Sequence, residues 1–232
     1  MTYFLVNPRF PCAFAEKLRP FGECIAVSPL KELCEPVCAH PDMLAVNING
    51  KLFIHEKDIS LRRTLEKLGL PFSLSHADVA EKYPRDIALN LFTMEKCLFA
   101  NLKYASEDVL EYASSCGYEL VNVAQGYAKC STMTVQGGII TADKTIYNAA
   151  LSKNIDALLI SQGYVGIERY DTGFIGGASA EIAHGKVAVF GDINSHPDSA
   201  EILRFAKEHD TEILNLGNCS LFDYGGIVCA NA

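Results

Sequence analysis

The stretch LFDYGGIVCANA (residues 221–232) closes the chain, and its reading decides the fold. A chain end is normally where order runs out. Here Gly225 and Gly226 mark a backbone that must pass close to something. Ile227 and Val228 then favour a strand, which carries the thiol of Cys229. At the other end, TYFLVN (residues 2–7) reads as a strand with no partner nearby in sequence. Pairing the two ends gives each a partner and ties both down.

Working outward, a unit of helix, short apolar strand and β-hairpin recurs every ~40–55 residues, a period that signals a repeat architecture. Caps and apolar periodicity place five helices. They are CAFAEKLRPFG ending near Gly22, SLRRTLEKLG with Ser60 as N-cap, SEDVLEYASSCG with Ser106 as N-cap, TIYNAALSKN ending at Asn154, and DSAEILRFAKEHD with Asp198 and Glu201 as a capping box. The apolar runs ECIAVS, PFSLS, YELVNVA, DALLIS and EILNLG follow them and read as buried strands. Hairpins follow four of these runs, with turns at Asn49-Gly50, Gly137-Gly138 and His184-Gly185. The fifth hairpin lacks its second strand, which the N-terminal strand supplies. The expectation is one domain over residues 1–232: a pseudo-fivefold α/β ring whose closure removes exposed sheet edges.

Composition bounds the function. Of the 232 residues, 49% are apolar and 21% charged, an ordinary globular balance. A net charge of −8 argues against nucleic acid and anionic membrane as partners. No apolar run approaches the ~20 residues of a membrane helix. The start, MTYFLVNPRF, lacks a long apolar segment with a cleavage site. Nine cysteines in no disulfide or zinc spacing indicate a reduced, cytoplasmic protein with mostly buried thiols. Pro36 between Cys34 and Cys38, and the want of a fourth ligand, argue against a metal site there. No metal or cofactor is expected.

Five units closed by terminal strands, ending in Gly225-Gly226-Ile227-Val228-Cys229, resemble the pentein, or guanidino-group-modifying enzyme, superfamily. The segments KCSTMTV, ITAD and DTGFIGGAS are similar to those of a branch of this fold with no established reaction. The resemblance implies a pseudo-fivefold α/β propeller. It also implies a cysteine near the C-terminus that attacks a guanidinium carbon and forms a covalent thiouronium, which water or an amine then cleaves. Carboxylates would hold the cation by paired hydrogen bonds. Cys229 matches the nucleophile position. In the superfamily, the histidine comes from a His-x-Asp or His-x-Glu in the fourth hairpin; Arg169 stands at that position here, and the Glu-Gly-Gly-Asp element is absent.

The residues offer their own candidates. Asp42, Asp86, Asp171 and Asp223 lie at hairpin entries, where equivalent positions of a ring converge on one channel mouth. Asn47 and Asn90 occupy similar places in the first two hairpins. Lys129 and Cys130 open the third, with Lys129 suited to a substrate carboxylate. His40 precedes Pro41-Asp42 with no helix expected after it, so it is the candidate acid/base. His196-Pro197-Asp198 is explained by helix capping, as is Asp143 ahead of the fourth helix. Gly176-Gly177 lacks the Lys-Ser/Thr of a phosphate loop and indicates close backbone packing instead. The expected partner is a small, cationic molecule. Three functions are in view: a cysteine-dependent hydrolase or transferase acting on a guanidino or related amine compound, a non-catalytic small-molecule-binding protein, and a structural or interaction protein, whose expected apolar channel plug the polar residues at the hairpin entries speak against.

Overall fold

A computed structural model describes residues 1–231. The chain opens with strand β1 (Thr2–Val6), helix α1 (Cys12–Leu18) and strand β2 (Glu23–Ala26). The first full unit has α2 (Pro41–Leu44), β3 (Ala45–Ile48), β4 (Lys51–His55), α3 (Ile59–Leu68) and β5 (Ser73–Ser75). Next come β6 (Phe92–Met94), β7 (Cys97–Ala100), α4 (Glu107–Ser115) and β8 (Glu119–Asn122). The third unit is β9 (Thr132–Val135), β10 (Gly138–Thr141), α5 (Lys144–Ser152) and β11 (Asp156–Leu159). The fourth is β12 (Ser179–Ala183), β13 (Lys186–Val189), α6 (Ser199–Glu208) and β14 (Glu212–Asn215), and β15 (Val228–Asn231) ends the described chain.

These strands form five three-stranded sheets, ordered β3-β4-β5, β6-β7-β8, β9-β10-β11, β12-β13-β14 and β15-β1-β2. In four of them an antiparallel hairpin supplies two strands, and in all five a helical crossover leads to a third, parallel strand. The fifth sheet is built from both ends of the chain. Strand β15 pairs antiparallel with β1, placing Cys229 opposite Phe4 and Val228 opposite Leu5. Neighbouring units meet through their first strands, with β9 against β12 and β15 against β3. The result is a pseudo-fivefold α/β propeller clasped by its own termini, as the sequence indicates.

Each helix covers its sheet with an apolar stripe. Leu61 and Leu65 of α3 are buried with Leu52 and Ile54 of β4. Ile146 and Ala150 of α5 are buried with Ile139 of β10. Burying each such leucine or isoleucine contributes roughly 2 kcal/mol. The third strands are mostly not buried, contrary to expectation: apart from Ser75 of β5 and Val121 of β8 their residues run from partly to well exposed, while the middle strands β7 and β10 are buried throughout. The third strand is the outer edge of its unit, so only one face finds cover. The thiols are likewise less hidden than expected. Only Cys97 and Cys130 are fully buried, and all nine are free.

Local signals explain the other differences. Helix α1 stops at Leu18, just ahead of Pro20, rather than running to Gly22. The α3 cap is Asp58, not Ser60: its carboxylate accepts from the Leu61 amide at 2.9 Å. Ser106 stands at the α4 N-cap, but its hydroxyl accepts from Ser75 rather than from the helix. Asp198 likewise makes no cap bond, because it accepts from the Ser161 amide and hydroxyl. Asp143 does cap α5, taking the Thr145 and Ile146 amides. A short helix follows His40 after all, with Pro41 in its first turn. Among the described residues, no helix is long and apolar enough to cross a membrane.

Candidate functional site

The first strand of each sheet lines the axis of the ring, and the hairpin turns fix which of its residues point inward. Asn47, Thr93, Thr134, Glu181 and Cys229 occupy matching places, each opposite a middle-strand residue: Leu52, Leu98, Ile139, Val187 and Phe4. Each is open to solvent on a strand whose flanking residues are buried. All five line one cavity of about 220 Å³, with Asp42 and Lys129 also on its wall. The propeller thus presents one polar side chain from each unit to a single central space.

Cys229 is half-buried there. Its thiol lies 3.8 Å from the Glu181 carbonyl, and its own carbonyl accepts from the Asn47 amide at 3.0 Å. Burial pushes this thiol up to about 11, with the Glu181 charge adding to the rise and Lys129 opposing it. The Glu181 carboxyl accepts from Gln136 at 2.8 Å, and loss of hydration raises it above its ordinary value.

Asp42 is 2% exposed. It lies in the first turn of α2, with its amide donating to the Gly225 carbonyl. One oxygen, Oδ2, accepts from the Cys130 thiol at 3.0 Å; the other, Oδ1, is buried without a partner. Burial first, then the nearby Asp223 charge, pushes this carboxyl up to about 7, against the pull of Lys129. Asn90 braces the group. Its amide nitrogen lies 3.0 Å from the Cys130 sulfur, and its oxygen accepts from the Lys129 and Cys130 amides. The Lys129 ammonium donates to the Gly176 carbonyl at 3.2 Å. The Cys130 thiol is pushed well above its ordinary value, by burial and then by the Asp42 charge.

Asp223 is also fully buried, but it serves the closing turn. It accepts from the Phe174 and Gly225 amides at 3.0 and 2.9 Å. His40 Nδ1 lies 3.7 Å from its Oδ1. Both His40 and Asp223 line a different cavity, of about 380 Å³, shared with Arg9, Glu168 and Tyr224. Burial holds the imidazole below its ordinary value, so it is neutral at pH 7. The glycine pair is explained here. Gly225 and Gly226 both have positive φ, at 79° and 64°, and a Cβ on Gly225 would lie 2.2 Å from the His40 Cβ.

The structure therefore gathers Asp42, Asn90, Lys129, Cys130 and Asp223 into one buried cluster, with Cys229 on the same cavity as Asp42 and Lys129. It does not bring His40 to Cys229, since the two line separate cavities. Asp171 lies apart from this cavity: it sits exposed on a surface loop, two residues after Arg169, whose guanidinium pairs with Glu35. Asp86 is buried away from that cavity's wall, and its Oδ2 takes the Tyr127 hydroxyl at 2.6 Å. Glu181, Thr93 and Thr134 were not singled out by the sequence. The third hairpin turns at Gln136-Gly137, one residue earlier than expected, because Gly138 already belongs to β10; counting back two residues from the turns at Asn49-Gly50, Glu95-Lys96 and Gln136-Gly137 finds Asn47, Thr93 and Thr134, and three from His184-Gly185 finds Glu181 on its bulged strand.

Residues 5–228 match the model of a family described as a family of unknown function, DUF6873. The chain belongs to this family. No curated protein matches it. Among solved structures, it is similar to SxtG, an amidinotransferase of Microseira wollei in the saxitoxin biosynthetic pathway, with a TM-score of 0.53 and 10% identity over 93% of this chain and 88% of that one. It is similar to the substrate-bound N-terminal domain of ArgZ, a cyanobacterial arginine dihydrolase of the ornithine–ammonia cycle, at 0.58 and 8% over 94% and 92%. A dimethylarginine dimethylaminohydrolase in adduct with S-methyl-L-thiocitrulline gives 0.55 and 6% over 93% and 92%. At such identities the likeness establishes the fold, and the fold is that of the penteins.

Proposed function

We propose that the protein is a cysteine-dependent enzyme acting on a small guanidino or related amine compound held in the central cavity. The observation that supports this most is the cavity wall itself. A thiol, Cys229, shares about 220 Å³ with two carboxyl groups, Asp42 and Glu181, and one ammonium, Lys129. A bound cation would be held by the carboxyl groups through charge-assisted hydrogen bonds. Its charge would also lower the thiol from about 11 toward the range where thiolate forms. The thiolate adds to the guanidinium carbon, and the bond to one nitrogen breaks, releasing ammonia or an amine. The thiouronium that remains is cleaved by water, giving a urea, or by an acceptor amine, giving a new guanidine. Lys129 is placed to meet a carboxylate on the same molecule. Of the other candidates, Cys130 and Asn90 act from behind Asp42, and Asp223 acts by ordering the turn that carries β15.

A second reading, a binding protein without catalysis, has one observation in its favour: no histidine is among the residues that line this cavity. Labelling separates the two. The native protein is treated with 2-chloroacetamidine, a cation bearing an alkylating carbon, and with neutral iodoacetamide, and each thiol is followed by peptide mass mapping. A catalytic site gives faster labelling of Cys229 by the cation than by the neutral reagent, and faster than the other eight thiols. Labelling of Cys229 only after denaturation removes the catalytic reading and leaves binding.

A further inference from the structure

The Asp42 carboxyl is held asymmetrically, and the asymmetry has a purpose. Its Oδ2 takes the Cys130 thiol, while Oδ1 is buried without a partner, on a residue that lines the central cavity. An unsatisfied buried carboxylate oxygen carries a desolvation cost with no bond to offset it. That cost is repaid when a donor in the cavity reaches it, or reduced while the group carries a proton. Cys130 cannot itself turn away, because Asn90 grips both its sulfur and its amide. The orientation of Oδ1 is thus set by three residues from three separate units.

We propose that Asp42 admits a cation by giving up a proton, and that Cys130 and Asn90 are positioning residues that aim its free oxygen at the bound molecule. In the free protein Asp42 is a carboxylic acid; on binding, its proton leaves to solvent and the carboxylate pairs with the cation, so charge in the cavity is conserved. This rests on the reading of the cavity as a cation site and adds a selection rule to it. Neutral isosteres, such as a urea for a guanidinium, displace no proton and gain no ion pair. The charged and titratable groups facing Asp42 are Lys129 and Cys130 from the segment before β9, Asp223 from the segment before β15, and Glu181 and Cys229 across the cavity. Asp223 favours the protonated form and Lys129 opposes it.

Calorimetric titration of the full chain with methylguanidinium, in buffers of different ionisation enthalpy, reads the exchange. Release of close to one proton per site at pH 6, about half at pH 7 and, once Cys229→Ser removes the thiol's own proton, close to none at pH 9 is expected. In the same Cys229→Ser background, Asp42→Asn should bind at least about tenfold more weakly and release none. Cys130→Ala should lose several-fold in affinity, and Cys130→Ser, whose hydroxyl still donates, should recover most of it. Binding without pH-dependent proton release overturns the proposal while leaving the cation site standing. Absence of any binding removes the cation site, and infrared spectra then decide the proton. A carboxylic-acid band that titrates near neutrality together with the Cys130 S–H band supports a protonated Asp42; a Cys130 S–H band that ignores pH between 5 and 9 overturns it.

Discussion

Asp42 should make the protein less stable as the pH rises, the reverse of the usual behaviour of a native carboxyl group. The unfolded chain ionises Asp42 near the ordinary 3.8, whereas burial holds the folded group near 7. Between those values the folded state binds more protons than the unfolded state, so unfolding becomes easier with each step upward in pH. At ~1.4 kcal/mol per pH unit, the full span corresponds to about 4 kcal/mol, an upper figure. It is absent below about pH 3 and fully developed above about pH 8. Asp42→Asn keeps the shape and the acceptor for Cys130 but cannot ionise, so it should remove this dependence. Urea unfolding of both proteins from pH 4.5 to 8.5 tests the point, because Glu181 and His40 titrate in both and cancel in the difference, while Asp223, freed of the Asp42 charge, shifts it in the same direction. The variant should be the more stable of the two at pH 8.5, by about 2–4 kcal/mol, and by no more than about 1 kcal/mol at pH 4.5. Parallel profiles would refute the argument, since they would mean that Asp42 ionises in the fold as it does in the open chain.

Two substitutions test the frame around the site. Gly177→Ala would put a Cβ 2.0 Å from Asp223 Oδ1, so thermal and urea unfolding should show a loss of about 3 kcal/mol or more; a loss under ~1 kcal/mol would mean that the Asp223 turn is not rigid. Asp143→Ala removes the α5 cap and should cost about 1 kcal/mol with no change in the Cys229 labelling rate, because that helix lies outside the channel.

The ring was legible in the sequence because its evidence is local and repeated. Helix stripes, hairpin turns and the unpaired terminal strands each constrain the same architecture. What the sequence hid were choices between neighbours. Asp58 or Ser60, and Asp198 for α6 or for Ser161, depend on which backbone amides come within reach, and that is a tertiary matter. The site was half legible for the same reason. Asp42, Asn90, Lys129 and Cys130 stand at or near hairpin entries and do converge. Asp171 stands at an entry too, but its loop swings to the surface beside the Arg169–Glu35 pair. Glu181 was missed because attention to the entries passes over the middle of a strand, where alternation alone selects the inward residue.

That alternation also gives the glycine pair its meaning. On a strand, a shift of one residue would send Val228 into the channel and bury Cys229 against the sheet behind. The phase of β15 is set by where its turn ends. Gly225 and Gly226, both at positive φ, carry the backbone around Asp223, and the Asp42 amide clamps the Gly225 carbonyl at 3.1 Å. A side chain at Gly225 would collide with His40 and displace the turn. So the residue that presents the thiol is chosen four positions earlier, by a contact with the segment that carries Asp42. The turn couples the two groups that the proposed chemistry needs together: whatever seats Gly225 against His40 and Asp42 also points Cys229 into the cavity that Asp42 lines.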